Sequence, residues 1–246
     1  SLDSKPNKME KKNGYLEFYN NKILAIFWTG KIIYTNKENL INNNVSFFEI
    51  NTNINDFLKH DEKDKFISIK DSMISGNNLY LSYTKNLKPD SNCLNLSIIK
   101  AEILKSDEKF ELGSFEEFFT YDECLEARFN GYQSGGRMVS YKNNNILLTI
   151  GDFQNFSPAQ DLNSFFGKII SINKNSKEYK LVSMGHRNQQ GLYYDNTLDI
   201  IISTEHGQKG GDEVNLIIDD DTEISNYGWP IASYSDYYGY ETKEIK

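Results

Sequence analysis

Short apolar runs return along this chain in four groups of three, each ended by residues that favour turns. Residues 15–19, 23–27 and 32–34 form the first group, broken at Asn20-Asn21 and Thr29-Gly30. Residues 66–69, 79–83 and 94–104 form the second, and 137–140, 146–150 and 168–172 the third. The fourth runs through 191–194, 200–204 and 213–218. Most runs are shorter than a stable helix and are bounded by turns, which predicts an all-β chain. The groups repeat at roughly 45–60 residues, the length of a β-propeller blade. A β-sandwich produces the same local pattern, so periodicity alone leaves these two folds open. Helix signals are weak. Residues 55–59 and 114–119 look briefly helical and read equally well as loop turns. No linker or shift of composition divides residues 1–246, which predicts a single domain.

With 246 residues, 38% apolar and 25% charged, the chain has enough material for a sizeable core. A net charge of −8 argues against nucleic acid, whose phosphates call for a basic face. No apolar run approaches the roughly 20 residues that span a bilayer. The opening Ser1-Leu2-Asp3-Ser4-Lys5 does not read as a signal peptide, which suits either a cytoplasmic chain or a processed export product. Cys93 and Cys124 lie 31 residues apart, and the sequence leaves open whether they pair or remain thiols.

One stretch has no place in an ordinary core. Gly185-His186-Arg187-Asn188-Gln189-Gln190-Gly191-Leu192 is followed by Thr204-Glu205-His206-Gly207 and by Asn226-Tyr227-Gly228-Trp229-Pro230. A basic residue, an amide, a glycine turn with carbonyls and an acidic cluster thus fall within about one blade. Such a group suits a polyanionic ligand held together with a hard cation. The wording and order of these segments resemble the PQQ-dependent aldose sugar dehydrogenases, the glucose/sorbosone dehydrogenase family. Leu79-Tyr80-Leu81-Ser82-Tyr83-Thr84, Ser134-Gly135-Gly136-Arg137, Thr149-Ile150-Gly151-Asp152, Ala159-Gln160-Asp161-Leu162 and Gly167-Lys168-Ile169-Ile170 follow the same family order. The likeness covers about residues 66–236. It implies a six-bladed β-propeller in the periplasm or secreted. Six blades take roughly 350 residues, so about four fit here, and the chain reads as a propeller incomplete on its C-terminal side.

The resemblance also implies a site. Arg187 and Asn188 would bind the carboxylate and ring oxygens of PQQ, a guanidinium being suited to a carboxylate, and His206 would face the cofactor. Gly207 and Gln208 would lend main-chain oxygens to calcium, while Glu213, Tyr227 and Asp236 match a second calcium site of some members. Plainer roles remain open for each: an arginine that bonds backbone carbonyls, a glycine-rich turn and a solvated acidic loop. His186 reads as a packed, hydrogen-bonded residue rather than a ligand.

Two departures bear on activity. The family's general-base histidine lies four residues before the arginine of its Gly-Gly-Arg motif, and here that position is Gln133. A neutral amide has no nitrogen that titrates near neutrality and cannot take the hydroxyl proton of a sugar. Asp152 matches the carboxylate that orients the missing histidine and is expected to have lost its partner. The family's Gln-Asn-Gly-Leu-Leu-type loop is replaced by Lys63-Asp64-Lys65-Phe66-Ile67. The expectation is an oxidoreductase of sugar hydroxyls, using PQQ and calcium, impaired at Gln133. The alternative is a non-catalytic propeller that binds a carbohydrate or a protein. Oligomeric state is not legible.

Overall fold

A computed structural model describes residues 14–42, 45–58, 68–91, 93–104, 109–126, 133–142, 144–220 and 222–232. The first sheet joins β1 (Gly14–Tyr19), β2 (Lys22–Phe27), β3 (Ile32–Asn36) and, after the short helix α1 (Lys37–Ile41), β4 (Phe48–Ile50). The second holds β5 (Ile69–Ser75), β6 (Asn78–Lys88) and β7 (Cys93–Leu104). Short strands β8 (Glu111–Leu112), β9 (Glu116–Phe119) and β10 (Leu125–Glu126) all pair with β7. The third runs through β11 (Gly135–Tyr141), β12 (Asn145–Ile150), β13 (Lys168–Asn173) and β14 (Tyr179–Met184). The fourth comprises β15 (Gln189–Asp195), β16 (Ile200–Glu205) and β17 (Glu213–Ile217). The chain then returns as β18 (Ser225–Asn226), parallel to β14.

The leading strands of the sheets pack side by side, β1 on β5, β5 on β11 and β11 on β15. Four sheets that meet along their first strands are blades about an axis, which excludes two sheets facing each other across one core. The unbroken apolar run of β12 follows from this arrangement. Alternate strand residues point to opposite faces, so Ile146 and Leu148 enter the core shared with the first two blades. Leu147 enters a second core with Ile169, Val182, Ile201 and Ile217 from the third and fourth. The outward faces of the end blades remain apolar and exposed. Leu16 and Phe18 are 64% and 60% exposed at one end, Tyr193 and Leu216 57% and 56% at the other. Tyr193 and Leu216 both stand in register with Ile202.

Some local readings change. Within 114–119, residues Glu116–Phe119 form β9, where Phe118 and Phe119 are buried, so aromatic packing overrides the weak helical signal. Within 55–59 only a 3-10 turn forms, Ile54–Asp56. Strand β14 and helix α1 went unread. Cys93 and Cys124 are joined in a disulfide with Cα atoms 5.3 Å apart, which pins β7 to the segment before β10.

Candidate functional site

Three strand ends from two blades, and one returning segment, meet around Asp152. It follows β12 and is fully buried. Its main-chain N–H donates to Arg187 O at 2.8 Å, which ties the third blade to the turn before β15. Its carboxylate accepts from Gln154 N at 2.8 Å and from Trp229 Nε1 at 2.8 Å. Trp229 is brought here by β18 and by its own N–H, which donates to Gly185 O. Gly185 has φ +74°, and a Cβ there would meet Asn226 Oδ1 at 2.2 Å and Gly228 N at 2.7 Å, so the return passes only over glycine.

Gln133 completes the cluster. With its amide nitrogen toward the carboxylate, it donates to Asp152 Oδ1 at 2.9 Å. Its oxygen then accepts from Arg187 Nη2 at 2.9 Å and Gln154 Nε2 at 3.2 Å. The expectation that Asp152 has lost its partner is therefore corrected, because the glutamine amide supplies the hydrogen bond. Gln133, Phe153 and Gln154 all have left-handed backbone, φ 62°, 51° and 61°. Each such non-glycine residue costs on the order of 1–3 kcal/mol, and a cluster of them is characteristic of functional sites. Burial pushes the Asp152 carboxyl up to about 7, against the lowering effects of Gln154 N–H, Trp229 and the Arg187 charge.

Among the described residues, Arg187 meets no carboxylate with its guanidinium. Nη1 donates to the carbonyls of His206 at 2.9 Å and Gly207 at 3.0 Å, and the group lies 5.3 Å from the Trp229 ring centroid. Its Nε is buried with no partner among the described residues. Beneath it the backbone rests on Glu205, whose Oε2 accepts from Arg187 N at 2.8 Å. Glu205 Oε1 accepts from Asn215 Nδ2 at 2.9 Å and lies 3.0 Å from His186 Nδ1. Burial alone raises the Glu205 carboxyl, but His186 and these backbone donors hold it below its ordinary value. His186 is fully buried, with Nε2 2.8 Å from Ser183 Oγ and Tyr227 stacked on its ring, as expected of a packed residue.

The anticipated metal ligands are distributed differently from the anticipated cofactor ligands. Gly207 O accepts from Arg187, and Gln208 O accepts from Gly211 N at 2.7 Å. A Cβ on Gly207 would lie 1.7 Å from Gly211 O, which accounts for the glycine. The described residues contain no group of three His, Cys, Asp or Glu side chains able to hold a metal. Two neutral carbonyls beside a guanidinium suit calcium only if an anionic ligand lies between the charges. Glu213 Oε2 accepts from Asn215 Nδ2 at 3.1 Å, and the Tyr227 hydroxyl donates to Leu216 O, a bond that does not involve the main-chain oxygen expected of Tyr227. Asp236 and the loop 63–67 lie outside the described residues. The His206 ring is 60% exposed, with Nδ1 3.7 Å from Asp212 Oδ1. An anion fits the site better: one N–H of Arg187 Nη2 bonds Gln133 and the other has no partner among the described residues, and Asn188 is adjacent. Sequence reasoning missed Trp229 and Gln154. Trp229 sits in the quoted Asn-Tyr-Gly-Trp-Pro segment, whereas nothing in the sequence singles out Gln154.

Fold and site together define a β-propeller with a buried carboxylate and a guanidinium at the ends of adjacent blades. The description Glucose / Sorbosone dehydrogenase matches residues 67–246, and the chain belongs to that family. An uncharacterized protein of Synechocystis sp. is 36% identical over 139 residues, 47% of this chain and 33% of that protein. Aldose sugar dehydrogenase YliI of Escherichia coli is 27% identical over 150 residues, 55% of this chain and 39% of that one. The matched stretches thus span well under half of these relatives. Among solved structures, the apo soluble aldose sugar dehydrogenase of Escherichia coli has a TM-score of 0.73 at 21% identity. It covers 95% of this chain and 67% of that one. The PQQ-bound aldose sugar dehydrogenase of Streptomyces coelicolor has a TM-score of 0.67 at 19% identity, covering 89% and 63%. At these identities the likeness speaks for the fold. No helix among the described residues is long and apolar enough to cross a membrane.

Proposed function

We propose that this chain forms part of a PQQ-dependent oxidoreductase of sugar hydroxyls, exported to the periplasm or secreted. The observation that carries the reading is the Arg187 guanidinium, which bonds carbonyls and an amide but pairs with no carboxylate among the described residues, next to the Asn188 amide. A bound PQQ would supply the hydride acceptor. Arg187 and Asn188 would hold its anionic edge, and the second lone pairs of the Gly207 and Gln208 carbonyl oxygens, which already accept from Arg187 and Gly211, would be open to calcium beside it. Trp229 and Asp152 keep the floor of the site dry and fixed. At position 133 the amide can orient a ligand hydroxyl but cannot remove its proton. Turnover is accordingly low in this reading, by on the order of 10²–10⁴ relative to a chain with a positioned base.

PQQ titration in calcium buffer, followed by calorimetry, tests the binding. Saturable binding that is weakened in Arg187→Ala supports the reading, and no binding at all sinks it. Gln133→His tests the chemistry, since the present amide nitrogen is already 2.9 Å from Asp152 Oδ1. A gain in sugar oxidation by the PQQ-loaded variant is expected. The second reading, a non-catalytic carbohydrate- or protein-binding propeller, is favoured by the same amide, which satisfies Asp152 and Arg187 at once. PQQ bound without turnover in either wild type or Gln133→His would select it.

A further inference from the structure

Below the mouth, a line of polar side chains crosses three blades. Arg137 on β11 donates through Nη1 to Asp71 Oδ1 at 3.3 Å, on β5. Through Nη2 it donates to Gln190 Oε1 at 3.2 Å, on β15. Gln190 Nε2 donates to Asn188 Oδ1 at 2.9 Å, and Gly135 N–H donates to that same oxygen at 3.2 Å. Asp71 Oδ2 also accepts from Met138 N at 2.8 Å, so the arginine's anchor is itself fixed to β11.

The polarity of this line is not free. A guanidinium has only donors, so the oxygen of the Gln190 amide must face Arg137 and its nitrogen must face Asn188. A backbone N–H is likewise only a donor. Asn188 Oδ1 is therefore held from both sides, and Asn188 Nδ2, with no hydrogen-bond partner among the described residues, is left to donate to a ligand. An unanchored asparagine at the rim would present either end of its amide, and half of its orientations would set an acceptor against an anion.

We infer that Arg137 and Gln190 are positioning residues that fix Asn188 as a hydrogen-bond donor and so make the site selective for a ligand edge of acceptor oxygens. The inference deepens the proposed PQQ reading and rests on it for the identity of the ligand, but the orientation of the amide is testable without any ligand. Arg137→Lys keeps a charge for Asp71 and lacks the second arm that reaches Gln190.

The experiment has two arms. In the ligand-free protein, hydrogen exchange of side-chain amides is followed by nitrogen-15 NMR. Gln190 amide protons are expected to be protected in the wild type and to exchange markedly faster in Arg137→Lys. Equal exchange in both would overturn the relay whatever the ligand proves to be. In the second arm PQQ affinity is measured across a double-mutant cycle. Gln190→Leu should weaken binding about tenfold in the wild-type background and less than about twofold in Asn188→Ala, since Gln190 acts through Asn188. The same loss in both backgrounds would overturn the positioning role. Absence of PQQ binding in the wild type, with Gln190 protected, would reject the cofactor and leave the fixed donor standing.

Discussion

Arg137 and Arg187 sit on neighbouring blades, Arg137 opposite the partly buried Asp71 and Arg187 opposite the fully buried Asp152, and they are used in opposite ways. Arg137 touches Asp71 directly at 3.3 Å, so its charge is spent within the fold. Between Arg187 and Asp152 stands the Gln133 amide, which bonds both and lets neither meet the other. One pair is a strut between blades. The other is a charge held open, with a carboxyl whose ionisation the site resists. A single uncharged side chain makes that difference.

The largest effect that would test this contrast concerns Asp152. Its folded value, about 7, lies above the ordinary carboxylate range. Between roughly pH 4 and 7 the native state therefore keeps a proton that the unfolded chain has released. Stability falls as pH rises through that window, by on the order of 4 kcal/mol, and is level above it. Urea unfolding at several pH values should show this slope in the wild type and lose it in Asp152→Asn. A slope of unchanged size after the substitution would mean that it comes from the other carboxyls that burial raises, Glu17, Asp71 and Glu213, and not from Asp152.

Next in size is the cost of removing each arginine. Arg137→Ala strands Asp71 in a largely buried setting and should cost about 2–3 kcal/mol of unfolding free energy. Arg187→Ala breaks bonds to carbonyls and an amide, which should cost only about 1 kcal/mol, while it abolishes most anion affinity. Equal losses would erase the distinction. The smallest effect belongs to the spacer. Gln133→Ala should cost about 1 kcal/mol and should move the Asp152 titration, read by carbon-13 NMR, downward as the guanidinium closes on it.

Much of the fold was legible because blade strands advertise themselves twice, through turns and through apolar runs. Residues 146–150 read as a strand and proved to be one buried on both faces. The shortness of β14's apolar content hid it, since Tyr179, Lys180 and Ser183 interrupt the pattern. The site was legible as far as single residues have fixed chemistry. Arg187, Asn188 and Asp152 were found from the motif, and Gln133 was found as a departure from it. What escaped was the bonding between them. That the Gln133 amide is a two-sided bridge depends on the left-handed turn at 133, and the closure of the site on Trp229 arriving 77 residues from Asp152. Neither is written in local sequence. The calcium expectation illustrates the same gap, for a glycine turn shows that carbonyls are near the surface but not what already engages them.

The exposed ladders on the two end blades have a consequence for handling the protein. The apolar face of β1 and that of the fourth blade are unlike surfaces, at opposite ends of an arc of four sheets. Contacts between unlike faces repeat head to tail, and a repeat that does not close on itself grows into open chains rather than dimers. Where both faces are left bare, charged substitutions at Phe18 or Leu216 alone should suppress such growth.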